Sequence, residues 1–218
     1  MLDGWRDFID GPLYTEDDAP WRDDPGYQLL QQFPGLRDAV GGQVAPALTQ
    51  AIGLVQALAR VDVRALVCQH HPAVGLSLGF GANWSEPYDL LRVFELDRVH
   101  AYEWIGEQVS EAARSFHALA ATESGLAACI RLHHGTISDL GALADNSVRV
   151  VYAANIFNPE IPMASETFAR AIAELLRVLE PSGIVFSRGS SGLFEDALAP
   201  HGRMLLRNPL VSVFQRRD

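Results

Sequence analysis

The stretch that decides the fold reads LSLGFGAN at residues 76–83. It closes a short apolar run that begins at Ala73, and Gly79 and Gly81 follow directly, which is the pattern of a buried strand entering a tight turn. Glycine lets the backbone approach a ligand closely, and Glu103 stands about twenty residues later at the end of the next predicted strand. A carboxylate at that spacing is placed to accept hydrogen bonds from the ribose hydroxyls of an adenosine-containing cofactor. A strand-to-helix turn without a ligand, followed by a surface glutamate, would produce the same sequence pattern.

Strands and helices alternate from residue 73 onward. The predicted strands cover residues 73–78, 99–103, 129–133, 147–154, 184–187, 204–206 and 211–215, and the predicted helices cover 90–94, 106–121, 168–179 and 193–198. This alternation favours parallel strands joined by right-handed crossovers. The expected fold class is therefore α/β, with a doubly wound, mostly parallel seven-stranded sheet flanked by helices. An N-terminal helical and irregular extension precedes it.

The 218 residues predict one full domain with an N-terminal appendage. We place the extension at residues 1–65 and the main domain at residues 66–218. Apolar residues recur at helical spacing over 44–64, which predicts an amphipathic helix. The first 44 residues instead carry three aromatic and acidic patches, around Trp5, Tyr14 and Trp21. Two interpretations stay open for them, a tail or a lid whose aromatic rings cover the glycine turn.

Composition excludes several classes of function. The formal net charge is −10, which argues against broad nucleic-acid or anionic-membrane binding. All 17 cationic residues are arginine, so a catalytic lysine is excluded. No apolar run is long enough for a membrane span, and the N-terminus does not resemble a signal peptide, so we expect a cytoplasmic protein. Cys68 and Cys129 are interpreted as small, partly buried apolar residues.

A nicotinamide or flavin dinucleotide is disfavoured at the glycine turn. The pattern G-x-G-x-x-G/A would need a small residue at position 84, where the helix approaches the strand closely. That position is Trp84. A ring of this size conflicts with the dinucleotide pattern.

The turn instead resembles the first motif of the class I S-adenosylmethionine-dependent methyltransferases, in which a strand ends in acidic-x-Gly-x-Gly-x-Gly. Gly79 and Gly81 match, Ser77 replaces the acid and Asn83 replaces the third glycine, a mild change because asparagine tolerates left-handed backbone. Glu103 matches the ribose-binding acid of the family. The segment ELLRVLEPSG at 174–183 resembles the family's helix-turn-strand written E-x-x-R-V-L-x-P-G-G. The resemblance covers residues 73–218.

This resemblance implies a cofactor-binding set for S-adenosyl-L-methionine. The set comprises Ser77, Gly79, Gly81, Asn83, Glu103, Trp104, Thr136, Ile137 and Asn155. Three positions that are usually acidic in the family carry other residues here, namely Ser77, Thr136 and Arg149. Loss of the first-motif carboxylate removes an anion near the sulfonium and amino groups of the cofactor. This would weaken binding by roughly 1–3 kcal/mol if no other acid substitutes for it.

Methyl transfer depends mainly on alignment of donor and acceptor, so the sequence gives no definite catalytic residue. His134 and Asn155 are weak candidates. Asn158, Glu160 and Arg188 follow the fourth and fifth strands and are candidates for acceptor contacts, although a polar surface loop is the simpler explanation of each. The pairs His70-His71 and His133-His134 invite a metal hypothesis. Neighbouring residues on a strand point to opposite faces, so we expect no metal site.

The sequence thus predicts a transferase, an S-adenosylmethionine-dependent methyltransferase that acts on a small molecule. The lost acids leave open a catalytically degenerate, methyltransferase-like protein that serves as a binding or interaction module. Transfer of another group, such as aminopropyl, has no supporting feature. The expected partner is a small-molecule acceptor, without nucleic acid or membrane, and a homodimer stays open as an option.

Overall fold

The computed structural model describes residues 47–218 except 70, 83, 122–124, 126–127, 158–162, 191 and 209. Its helices are α1 (Ala47–Ala59), α2 (Val63–Cys68), α3 (Ser85–Val93), α4 (Gly106–Ala120), α5 (Ser165–Val178) and α6 (Gly192–Leu198). Its strands are β1 (Val74–Leu78), β2 (Arg98–Glu103), β3 (Ile130–His134), β4 (Val148–Ala154), β5 (Leu179–Arg188), β6 (Gly202–Leu206) and β7 (Val211–Arg216). A 3₁₀ turn, Ala199–His201, joins α6 to β6.

The seven strands form one sheet in the order β3-β2-β1-β4-β5-β7-β6. Strands β1 to β5 are parallel, and β7 runs antiparallel to both β5 and β6. The strand order reverses between β1 and β4, which in doubly wound sheets is where ligands bind, at the carboxyl ends of the strands. The predicted fold class is confirmed.

Each face of the sheet carries its own apolar core, because successive strand residues point to opposite sides. On β4, Val151 belongs to the core under α5 and α6, together with Leu175 and Phe194. Its neighbour Val150 belongs to the opposite core, which also contains Val55 of α1 and residues of α2 and α3. Both faces are therefore covered by helices, as parallel sheets require.

Two helices differ most from the sequence prediction. The single helix expected over 44–64 is divided, because Arg60 adopts a left-handed φ of 55° after α1 ends. Helix α2 then begins behind Asp62, whose carboxylate accepts a hydrogen bond from the backbone N–H of Ala65 at 2.9 Å. Helix α3 begins at Ser85, five residues before the predicted start, because the edge-on packing of Trp84 against Tyr88 anchors a first turn that lacks apolar periodicity.

Within these described residues, no helix is both long and apolar enough to cross a membrane. The aromatic patches at Trp5, Tyr14 and Trp21 lie outside the described residues.

Candidate functional site

The glycine turn after β1 has the left-handed backbone that its sequence predicts. Gly79 and Gly81 have φ values of +64° and +62°, which residues with a Cβ rarely adopt. The N–H of Gly79 donates to the carbonyl of Tyr102 on β2 at 2.7 Å. Among the residues that the structure describes, a Cβ at Gly81 would meet only Oε1 of Gln108, at 3.7 Å, so the turn is open on that side. Gly81 thus presents open backbone at the carboxyl edge of the sheet, whereas a side chain covers Gly79.

Glu103 is the last residue of β2 and fastens this turn. Its side chain is buried, and its Oε2 accepts a hydrogen bond from the N–H of Gly81 at 3.0 Å. Its Oε1 accepts from the N–H of Ile105 at 2.9 Å. An ionised carboxylate has about four acceptor positions, so two remain after these contacts. Glu103 can therefore hold the turn and accept ligand hydroxyls together.

A second carboxylate, which the sequence analysis missed, lies beside the serine of the first motif. Ser77 is fully buried on β1, and its Oγ donates to Oε1 of Glu86 in the first turn of α3 at 3.3 Å. Burial raises the pKa of Glu86 to about 8, opposed by the hydrogen bond from Ser77 and by the charge of Arg188. The only signal in the sequence is an acid in the first turn of a helix, which is too common to point to a site.

Arg188 and Tyr152 complete the polar cluster on the same face of the sheet. Register pairs Ser77 with Tyr152 on β4, and Nη1 of Arg188 donates to the hydroxyl of Tyr152 at 3.3 Å. Burial raises the pKa of Tyr152, and the nearby Glu86 carboxylate raises it further. An arginine, a phenol and a carboxylate therefore converge where the strand order reverses.

The loop after β4 closes over the glycine turn. Asn155 has a left-handed φ of 57°, and its N–H donates to the carbonyl of Arg188 at 2.9 Å. A Cβ built on Gly79 would lie 2.7 Å from Cγ1 of the next residue, Ile156. Strained backbone of this kind is common at functional sites. The acceptor candidates Asn158 and Glu160, and the motif residue Asn83, lie outside the described residues.

The loop after β3 contains two further predicted residues, Thr136 and Ile137, and begins behind His134, the last residue of the strand. Nε2 of His134 donates to the carbonyl of Trp104 at 2.9 Å, since a carbonyl only accepts. Ile137 is buried in the core on the α5 side, and Trp104 packs against the same core. Oγ1 of Thr136 accepts from the N–H of Ser138 at 3.3 Å and stabilises the loop. The side chains of His134, Thr136 and Ile137 thus fix the shape of this loop.

The adjacent histidines 133 and 134 point to opposite faces, as strand geometry predicts. His133 stacks on Tyr102 with ring centroids 4.5 Å apart, and its Nε2 lies 2.9 Å from Nδ1 of His100. Burial lowers the pKa of His100 to about 4 and lowers that of His133 too, so the pair is neutral at pH 7. Among the described residues, no three His, Cys, Asp or Glu side chains gather as metal ligands.

Arg149 is one of the three positions that are usually acidic in the family. It lies at the start of β4, at the opposite edge of the sheet from the glycine turn. It is buried, and its Nη2 donates to the carbonyl of Leu66 near the end of α2 at 2.7 Å. Its Nη1 lies 3.4 Å from the carbonyl of Pro181. This substitution therefore ties a helix to the amino edge of the sheet and does not touch the glycine turn.

Comparison with known proteins identifies the class. A family model described as a methyltransferase domain matches residues 78–187, half of the chain. No curated protein shows a significant match. Because the family model covers half of the sequence, the chain belongs to the class I S-adenosylmethionine-dependent methyltransferase family.

Solved structures share the fold at low sequence identity. A Streptococcus mutans protein assigned as a methyltransferase, in complex with SAH, is 12% identical, covers 71% of this chain and 95% of its own, and has a TM-score of 0.51. An rRNA methylase of Streptococcus thermophilus is 11% identical, with coverages of 71% and 94% and a TM-score of 0.50. A protein of Galdieria sulphuraria assigned as a sarcosine dimethylglycine methyltransferase is 21% identical, with coverages of 65% and 45% and a TM-score of 0.47. This chain spans less than half of that last protein.

The cofactor of this family is S-adenosylmethionine, and the residues present fit it. The open backbone at Gly81 leaves space that a Cβ would narrow. Two acceptor positions remain on Glu103 for a diol. The carboxyl group of Glu86 is present beside Ser77, where the acid of the family motif would stand, for the amino group of the methionine end.

Proposed function

We propose that this chain transfers a methyl group from S-adenosylmethionine to a small-molecule acceptor. In this proposal residues 66–218 form the cofactor-binding domain and residues 1–65 an extension beside the acceptor. The observation that carries the proposal is the glycine turn at Gly79 and Gly81, fastened by the carboxylate of Glu103 at the point where the strand order reverses. Membership of the methyltransferase family identifies S-adenosylmethionine as the cofactor.

The open backbone at Gly81 lets the cofactor approach the turn after β1, and Glu103 accepts hydrogen bonds from its ribose hydroxyls. Trp104, Thr136 and Ile137 border the adenine through the loops after β2 and β3. Asn83 belongs to the same proposed set. These assignments explain why the described members of the set meet at one edge of the sheet.

When bound, S-adenosylmethionine supplies an electrophilic methyl group: an acceptor lone pair forms the new bond to carbon while the carbon–sulfur bond breaks and its electron pair stays on sulfur. The protein contributes mainly orientation, which can supply several orders of magnitude in rate. We assign Asn155 and Arg188, at the carboxyl ends of β4 and β5, to orienting the acceptor, with the buried Tyr152 accepting a hydrogen bond from Arg188. His134 holds Trp104 through its Nε2, so we assign it a positioning role.

A small acceptor is favoured over a nucleic acid by charge. The chain carries a formal net charge of −10, which would repel a phosphate backbone. Asn158 and Glu160 follow β4 in the sequence and remain candidates for acceptor contacts, with Arg188 suited to an anionic acceptor group. The proposed location is the cytoplasm.

Calorimetric titration with S-adenosylmethionine and S-adenosylhomocysteine tests the cofactor half of the proposal. We expect micromolar affinity for both. Incubation with methyl-labelled cofactor and a panel of small amine, hydroxyl, thiol and carboxylate acceptors then tests transfer, with excess S-adenosylhomocysteine as the inhibited control. Absence of cofactor binding at millimolar ligand contradicts the proposal.

One observation favours a second candidate, a methyltransferase-like binding protein without turnover. Ile156 lies over the glycine turn, with its Cγ1 2.7 Å from a Cβ built on Gly79, which narrows the space beside the methionine end. Cofactor binding without transfer to any acceptor would favour this candidate. Any methylated product would exclude it.

A further inference from the structure

Serine at position 77 leaves the end of β1 without the acidic side chain of the family motif. A cationic cofactor end needs an anionic partner there, because a buried positive charge without one is costly. The hydroxyl of Ser77 carries no charge. It donates a hydrogen bond to Glu86 at 3.3 Å, so a carboxylate reaches the same place from α3.

The surroundings of Glu86 place it at the centre of the carboxyl edge. Four charged or titratable groups interact with it electrostatically, from its own helix and from three strands: Asp89 on α3, Glu103 on β2, Tyr152 on β4 and Arg188 on β5. Ser77 on β1 contributes the hydrogen bond. Ser77 is the second-last residue of β1 and pairs in register with Tyr152 on β4, so the carboxyl group bonded to it lies near the carboxyl ends of β1 and β4. That is the position where the strand order reverses.

We propose that Glu86 supplies the anionic contact for the ammonium and sulfonium end of S-adenosylmethionine, in place of the acid that Ser77 replaces. The inference rests on the proposed function and adds a residue that neither the family match nor the sequence motif assigns. Ser77 acts as a positioning residue that holds the carboxylate toward the strand ends.

Glu86 then titrates when the cofactor binds. Burial, with the neighbouring Asp89 and Glu103 carboxylates, raises the pKa of Glu86 to about 8, so its carboxyl group is mostly protonated at pH 7 without ligand. A cationic ligand favours the ionised form and lowers that pKa. Binding near pH 7 therefore releases close to one proton, and affinity rises with pH until the carboxylate is ionised in the free protein.

Calorimetry of the full chain with S-adenosylmethionine, in two buffers of different ionisation enthalpy, measures this proton release directly. We expect affinity to increase by about tenfold from pH 6 to pH 7 and to level off above pH 8. Release of no proton at pH 7, with an affinity that is flat in pH, overturns the inference without any variant.

Substitution sharpens the test. Glu86→Gln removes the charge and keeps the shape, and we expect it to weaken S-adenosylmethionine binding by about tenfold or more at pH 8 and to remove the pH dependence. The matched control is Glu107→Gln, because Glu107 is exposed and also stands second in its helix. The double variant S77D/E86Q restores a carboxylate at the strand position and should recover affinity.

The outcomes separate the inference from the proposed function. If the wild-type chain binds neither S-adenosylmethionine nor S-adenosylhomocysteine, both fail. If the wild type binds and E86Q binds equally well at every pH, the role of Glu86 fails and the function stands. Circular dichroism of each variant checks folding. Loss of affinity in E107Q as well would show that any acid near the sheet matters, and would also overturn the inference.

Discussion

The two edges of the sheet use buried charged side chains in different ways. At the amino edge, Nη2 and Nη1 of Arg149 donate to the carbonyls of Leu66 and Pro181, which belong to the fold itself. At the carboxyl edge, Glu103 accepts two backbone N–H groups and keeps acceptor positions for a ligand. Both edges carry substitutions at positions that are acidic in the family.

The difference shows that such substitutions have unequal consequences. Arg149 caps the last turn of α2, where carbonyls lack helical partners and a cation is favourable, so its role is structural. Ser77 lies beside the site, and in our proposal the neighbouring carboxylate of Glu86 supplies the anionic contact that an acid at position 77 would make. Distance from the strand ends, rather than agreement with a motif, decides which change affects the chemistry.

The largest expected effect comes from Glu103→Ala. It leaves the N–H groups of Gly81 and Ile105 without their acceptor, and hydrogen bonds to a charged group contribute about 1.5–3 kcal/mol each. We expect cofactor affinity to fall by at least about a hundredfold. The free energy of unfolding should also fall by about 3–6 kcal/mol. Calorimetry and denaturant unfolding measure the two effects.

Glu103→Gln is the matched control, because its amide oxygen can still accept one of the two N–H groups. It should recover part of the stability and less of the affinity. Wild-type affinity in the Glu103→Ala variant would show that the carboxyl edge does not bind the cofactor through this residue.

The fold could largely be read from the sequence, because buried parallel strands are short apolar runs and their alternation with helices leaves few topologies. The start of α3 could not be predicted from the sequence. Residues 85–89 lack helical apolar spacing, and the helix begins there because Trp84 packs on Tyr88 and on Phe116 of α4. Contacts between separate elements decide such boundaries.

The candidate site divides in the same way. Glu103 follows from its spacing to the glycine turn, since consecutive parallel strands place their ends at one edge. The role of Glu86 could not be predicted from the sequence, because its approach to Ser77 depends on how α3 packs against β1. Its sequence position, in the first turn of a helix, has an ordinary electrostatic explanation.

An intermediate effect is expected from alanine at the two glycines. Both have left-handed φ, which costs a residue with a Cβ about 1–2 kcal/mol. Only Gly79 adds a clash, with Cγ1 and Cδ1 of Ile156 at 2.7 and 2.8 Å. Denaturant unfolding should therefore show a larger loss of stability for Gly79→Ala than for Gly81→Ala.

The double variant G79A/I156A isolates the clash. Removing the Ile156 side chain should restore about 1 kcal/mol of the unfolding free energy that Gly79→Ala loses. The double-mutant cycle measures this difference as a coupling energy. Equal losses at the two glycines, with no coupling to Ile156, would mean that the loop after β4 does not press on the turn.

The smallest expected effect is that of Arg149→Met, and it tests the amino edge. Methionine fills similar space without charge, while the carbonyls of Leu66 and Pro181 lose a donor. Burial lowers the pKa of Arg149, a sign that its charge is costly there, and removing that charge offsets part of the lost hydrogen bonding. We expect unfolding stability to change by less than about 1.5 kcal/mol and cofactor affinity to stay at the wild-type value. A fall in affinity at unchanged stability would connect the two edges and refute the division between a structural edge and a ligand-binding edge.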